Sequence, residues 1–295
     1  MLLLALALSC GEMEEIDRTE DALGRAGAIT IVQVNPFYGG RHDGLDHRSP
    51  KTYRTARRFA RRLDERYRRT SVIGMQEITS AANADRIRSI LEEETGHPWE
   101  VRHFHQSTAP DALPSSQEAI FWRSDVHEVI EDFGTREVEQ FDHRGGKQSL
   151  RFGGLLLRRI GTGRELAMFT GKLVPLGKRR DGRLLTNFHR AREAARLMRW
   201  IDSKLEQHPT ATRVIAVDAN ADFGSAPWQR FRTEYWDGDD DRATHFTFGA
   251  RRIDFLFWDH DAGPRRTDGF LLGPLVSPDF GSDHRAVIAR VHVGG

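Results

Sequence analysis

Gly281-Ser282-Asp283-His284-Arg285-Ala286-Val287, followed at once by an apolar run, sets an acid and an imidazole side by side where a strand begins. Four more segments share the design of a β-like run bounded by a carboxylate or an amide. They are Ile31-Val32-Gln33-Val34-Asn35, Val72-Ile73-Gly74-Met75-Gln76-Glu77, Val214-Ile215-Ala216-Val217-Asp218-Ala219-Asn220 and Arg252-Ile253-Asp254-Phe255-Leu256. One Asp-His pair reads equally well as a surface turn. Five strand ends of one kind read as a site, because a strand fixed in a sheet holds its terminal side chains in place.

The surrounding pattern alternates strands with helices. Apolar spacing of three or four predicts helices over 51–69, 81–94 and 191–205. Strands are expected over 28–35, 72–75, 118–122, 150–158, 165–173, 214–217, 244–248, 253–258 and 286–293. Several strands follow one another directly between the helical segments. The expectation is therefore an α/β (α+β mixed) domain with mixed sheets covered by helices, not a purely parallel sheet. No Gly-rich linker interrupts 28–295, which reads as one domain and as a monomer.

With 295 residues, 38% hydrophobic and 29% charged, the chain can bury a large core. No apolar run of about 18 residues suggests a membrane span. The net charge of +1 gives no global attraction to polyanions, although the cations are 39 arginines against 5 lysines. Arginine suits phosphate through its planar fork, while a codon preference explains the same bias. The arginine face of 51–69 (Arg54, Arg57, Arg58, Arg61, Arg62, Arg66, Arg68, Arg69) is either a solvated surface or a polyanion contact. Arg41, His42, His47 and Arg48, which follow Asn35, are expected to border the same cleft. The acidic loop Trp236-Asp237-Gly238-Asp239-Asp240-Asp241 reads as a solvated surface more readily than as a structural Ca²⁺ site.

The single cysteine, Cys10, excludes a disulfide framework within the chain and a multi-cysteine zinc site. It ends the run Met1-Leu2-Leu3-Leu4-Ala5-Leu6-Ala7-Leu8-Ser9-Cys10-Gly11, which resembles a bacterial lipoprotein signal, though it is short and lacks a basic start. The expectation is an extracytoplasmic protein anchored to a bacterial membrane through lipidated Cys10, with 1–10 as signal and 11–27 as an acidic tether. If the signal is not real, the protein is cytoplasmic.

The strand ends collect Asn35, Glu77, Asp218, Asn220, Asp254, Asp283 and His284. Such hard oxygen donors favour Mg²⁺, with Mn²⁺ or Ca²⁺ as alternatives, over zinc. Buried carboxylates repel one another without a cation, so the cluster itself argues for metal binding. A metal that polarises a phosphoester and orients water suits hydrolysis.

In order and type, Asn35, Gln76-Glu77, Asp218-x-Asn220, Arg252-Ile253-Asp254 and Ser282-Asp283-His284 resemble the endonuclease/exonuclease/phosphatase (DNase I-like) superfamily over about 28–293. The resemblance implies a four-layer α/β sandwich of two packed mixed sheets flanked by helices. It also implies a divalent-metal-dependent phosphoester hydrolase: a phosphodiesterase or nuclease first, a phosphatase or phospholipase C-type enzyme on lipid or inositol headgroups second. By this likeness Glu77, Asn35 and Asp283 serve the metal. Asp218 activates water, Asn220 holds water or phosphate, and Asp254 orients His284 toward the phosphate. Arg151 is similar to a phosphate-facing arginine of the family.

One departure concerns a second histidine that many members have at the end of a middle strand. Here the stretch is Phe169-Thr170-Gly171-Lys172-Leu173, so Lys172 or Leu173 takes that place. Lys172 can bind phosphate as a point charge. The loss of the histidine also admits a catalytically degenerate binding protein of the same fold. His189 is read as a histidine near the next helix more readily than as a substitute.

Overall fold

The computed structural model describes residues 28–35, 50–78, 80–104, 117–143, 146–175, 186–237, 247, 250–259, 284 and 286–292. The leader with Cys10, the acidic tether, the loop residues Arg41, His42, His47 and Arg48, the acidic run at 238–241 and Asp283 lie outside these. So does most of the expected strand at 244–248; within it, Thr247 is a bend.

Along the chain come β1 (Ala28–Val34), α1 (Pro50–Arg66), β2 (Thr70–Gln76), α2 (Ala81–Thr95), β3 (Trp99–Phe104) and β4 (Glu118–Arg123). Then follow β5 (His127–His143), β6 (Gly146–Arg159), β7 (Glu165–Lys172), α3 (Asn187–Leu205) and β8 (Thr212–Asp218). The last elements are α4 (Ala226–Arg232), β9 (Tyr235–Asp237), β10 (Asp254–Asp259) and β11 (Val287–His292). One sheet has the order β11-β1-β2-β4-β3 and the other β5-β6-β7-β8-β10-β9. Each is antiparallel except for one inner parallel pair, β1–β2 and β7–β8. Helical crossovers join both pairs, as parallel neighbours require.

Three apolar clusters separate four layers. Residues of period 2 on one face, among them Ile31, Val72, Ile120, Met168, Val214, Ala216 and Leu256, meet between the sheets. The opposite face of the first sheet (Val32, Ile73, Met75, Phe121) packs on Ala56, Phe59, Ala60 and Leu63 of α1 and on Ile87, Ile90 and Leu91 of α2. The opposite face of the second (Phe169, Ile215, Val217, Phe255, Phe257) packs on Ala194, Leu197, Met198 and Ile201 of α3. The helices form where the sequence spaces its apolar residues at three and four, and these are the residues they bury.

The sheets approach closely at Gly74. A Cβ there would lie 2.6 Å from the Ala216 Cβ and 2.9 Å from the Met168 Cε. With this contact fixed, Gln76, two residues further along β2, reaches Thr170 Oγ1 of the second sheet. Two arginines of α1 turn toward α2: Arg57 pairs with Glu93 and Glu94, each at 2.6 Å, and Arg61 with Glu94 at 2.7 Å. These pairs occupy two of the arginines that a polyanion would need.

Candidate active centre

Inward-pointing positions of both sheets gather a cluster of buried polar groups at one end. The parallel strands β1, β2, β7 and β8 finish there with Gln33 and Asn35, Gln76 and Glu77, Thr170 and Lys172, and Asp218. Their antiparallel neighbours begin there with Glu118 on β4 and Asp254 on β10. The pairing fixes the alignment: Gln76 lies opposite Glu118, Lys172 beside Asp218, and Asp218 opposite Asp254. All of these are buried, as is His284 just before β11.

The hydrogen bonds form two adjoining groups, one around Gln33 and Asp254 and one around Asp218. Gln33 Nε2 donates to Gln76 Oε1 at 2.8 Å and to Asp254 Oδ1 at 3.0 Å. Gln76 Nε2 crosses to the second sheet and donates to Thr170 Oγ1 at 2.9 Å. His284 Nδ1 meets Asp254 Oδ2 at 2.8 Å. Asn35 Nδ2 donates to Asp218 Oδ2 at 3.2 Å. The Lys172 ammonium donates to Glu77 Oε1 and lies 3.2 Å from Asp218 Oδ2. Among the described residues, buried Glu77 Oε2 has no hydrogen-bond partner.

Two backbone conformations aim these groups. Among the described residues, Glu77 (φ 60°) and Asn220 (φ 48°) are the non-glycine residues with positive φ. This region is disfavoured for side chains with a Cβ and is held only where surrounding contacts determine it. At Asn220 those contacts are visible. Its N–H donates to Asp218 Oδ1 at 3.0 Å, and its Nδ2 donates to Leu173 O at 2.8 Å. The same Leu173 N–H bonds Asp218 O at 2.9 Å. Buried Arg190 donates to Val174 O at 2.7 Å, and Glu193 Oε2 accepts from Val174 N at 3.0 Å. The start of α3 thus clamps the chain just after Lys172.

The β10 end is held in a similar way. Thr247 Oγ1 accepts from the N–H groups of Ile253 and Asp254, both at 3.0 Å. Arg252, buried between the rings of Phe223 and Phe255, pairs with Asp237.

Charge states follow from these contacts. Burial disfavours the charged His284, but the Asp254 and Asp218 carboxylates outweigh it and raise the imidazole from 6.5 to about 9. Burial likewise acts against charge on Asp218. Lys172, His284 and the Asn220 N–H overcome it and hold the carboxyl below its ordinary value. For Asp254 burial prevails, opposed by His284, and its value is raised. Burial would also neutralise Lys172, yet Glu77 and Asp218 raise it above its ordinary value and keep it charged. Glu118 is pushed well upward by burial, opposed by Lys172 and assisted by the charges of Glu77 and Asp218. Among the described residues, neither of its oxygens makes a hydrogen bond of ordinary geometry.

Of the sequence-derived candidates, Asn35, Glu77, Lys172, Asp218, Asn220, Asp254 and His284 converge at this end of the two sheets. The register resolves the 172/173 alternative. Lys172 shares the inward face with Met168 and Thr170, whereas Leu173 packs on the α3 side. Arg151 stands on β6 beyond the Phe152–Gly171 pair, but its guanidinium turns to β5. There it bonds Thr135 Oγ1 at 3.3 Å and lies 3.7 Å from Glu137. His189 caps the start of α3, its Nδ1 accepting from Thr186 N at 3.2 Å. Gln33, Glu118 and Thr170 were not singled out from sequence. The available signal was a polar residue at an inward position of an otherwise apolar strand.

No protein-family model matches the chain, and no curated protein matches it. Solved structures do. An endonuclease/exonuclease/phosphatase family protein from Bacteroides thetaiotaomicron superimposes with a TM-score of 0.64 at 15% identity, covering 90% of this chain and 97% of that one. The chain has the endonuclease/exonuclease/phosphatase fold. A mannosyl-6-phosphatase from the same organism matches at 0.63 and 16% identity, over 89% and 99% of the two chains. The catalytic domain of human Nocturnin, with a bound sulfate anion, matches at 0.61 and 13%, over 90% and 94%.

Proposed function

We propose that the chain is a phosphoester hydrolase of this superfamily, acting first on phosphodiesters such as DNA or RNA. The observation that carries the proposal is the convergence of Asp218 with the Asp254–His284 pair. One ligand atom of each lies within 4.8 Å of the others, at the same end of both sheets as Glu77 and Asn35. Asp254 accepts a hydrogen bond from His284 Nδ1–H, fixes the ring and favours its cationic form. The imidazolium then answers the charge that develops on a phosphoryl oxygen. Asp218, held ionised, accepts the proton of an attacking water. Lys172 adds a second fixed positive charge. Asn220 keeps Asp218 and the end of β7 in register.

The donor set fits a hard divalent ion, Mg²⁺ before Mn²⁺ or Ca²⁺, because Glu77 Oε2 is buried and unpartnered among the described residues and the neighbouring carboxylate and amide ligands offer oxygens. Glu77 and Asp218 would hold such an ion, with Asn35 at their side; when bound it would act as a Lewis acid on the phosphoryl group.

A second reading draws on the bridge that Lys172 makes between Glu77 and Asp218. It is a protein that binds phosphoesters without turning them over. Both are tested by presenting the purified protein, with each of the three cations or with EDTA, to plasmid DNA, RNA, abasic DNA, inositol phosphates and sphingomyelin. Cleavage of nucleic acid is expected. Release of phosphate or phosphocholine instead would move the assignment to a phosphatase or phospholipase C-type enzyme. Binding without any product would leave only the second reading.

A further inference from the structure

Four buried carboxyl groups meet at this end of the fold. Asp254 is answered by Gln33 and His284. Glu77 and Asp218 share the Lys172 ammonium. Glu118, on the strand beside β2, lies close enough for all three of those charges to act on it. The Lys172 side chain is 11% exposed and that of Glu77 4%. The backbone after Lys172 is fixed at Leu173 and Val174 by Asp218, Asn220, Arg190 and Glu193.

We infer that Lys172 is the resident cation of this centre, and that a divalent ion enters the Glu77–Asp218 position only in exchange for its ammonium. A divalent ion such as Mg²⁺ binds carboxylate oxygens at about 2.0–2.1 Å. An ion bridging Glu77 Oε1 and Asp218 Oδ2 would fall on the ammonium that now contacts both. Two cations in contact in a buried site repel strongly. The wild-type protein therefore holds a divalent ion weakly. Removing the ammonium leaves Glu77 and Asp218 as a pair of buried carboxylates that need one.

This deepens the proposed reading of the cluster but does not depend on turnover. Its test is Mn²⁺ binding to the full chain, followed by electron paramagnetic resonance of free Mn²⁺ and by the thermal unfolding midpoint. The proteins compared are wild type, Lys172→Met, Glu77→Gln and the double variant. Lys172→Met is expected to bind one Mn²⁺ at least tenfold more tightly than wild type. Its midpoint should rise with Mn²⁺, and the double variant should lose both gains. Equal affinity of wild type and Lys172→Met would overturn the inference. If Lys172→Met folds only when Mn²⁺ is supplied, the exchange is supported. If it does not fold at all, wild type decides. Tight binding abolished by Glu77→Gln contradicts the inference, as does weak binding unchanged by Glu77→Gln, whereas weak binding that Glu77→Gln weakens further upholds it. A protein that hydrolyses nothing can still pass this test, so the two readings fail separately.

Discussion

Two histidines show how far this fold moves a single side chain. His284 is buried against Asp254 and rises to about 9. His127, buried on β5 with Ser71 Oγ 3.0 Å from its Nε2, has no carboxylate of that kind; burial, with Arg159 and Arg123, lowers it to about 4. The unfolded chain then takes up this proton near pH 6.5, before the folded chain does. The stability due to neutral His127 is complete above about 6.5 and is lost as pH falls toward 4, by up to about 3 kcal/mol. Urea unfolding at several pH values in that window should show a flatter profile for His127→Gln than for wild type. Parallel profiles would exclude His127 as the source.

At this same scale the site was largely legible. Asn35, Glu77, Asp218, Asn220, Asp254 and His284 each end or begin an apolar run, and the fold brings those ends together. What a linear reading could not supply was the partner of each group. The contact of Lys172 with Glu77 spans 95 positions, and only the pairing of β7 with β8 and the approach of the two sheets create it. Glu118 escaped notice for a related reason: at the start of Glu118-Ala119-Ile120-Phe121-Trp122 it resembles an ordinary polar strand terminus.

Among the elements, α1, α2 and α3 announced themselves by the spacing of the apolar residues they bury. The strand β5 did not. It is an edge strand, rich in charge (Glu128, Glu131, Asp132, Arg136, Glu137), and its pairing with β6 shifts register at Val129/Glu131, Asp132/Gly134 and Glu137/Glu139. Each shift interrupts the period-2 pattern by which a strand is recognised. The short α4 and β9 offer too few residues for any period. β2 depends on Gly74 more directly than on its propensity. Gly74→Val would drive a side chain into Ala216, Met168 and Thr170 and separate the sheets where Gln76 reaches Thr170. Such overpacking costs about 1–3 kcal/mol. A lowered urea midpoint, accompanied by weakened activity, is the expected outcome; an unchanged midpoint would mean that the sheets are not held apart by this contact distance.

For the whole molecule, two sheets with parallel inner pairs, stacked so that the same ends coincide, turn five separated motifs into one centre. That architecture is shared with solved structures at 13–16% identity. The central claim is that this centre processes phosphoesters through Glu77 and His284. Its most direct test is the steady-state rate of wild type, Glu77→Ala and His284→Ala on the best substrate of the panel, with circular dichroism confirming that each is folded. Both substitutions should lower the rate at least about 100-fold. Folded variants that retain the wild-type rate would contradict the account.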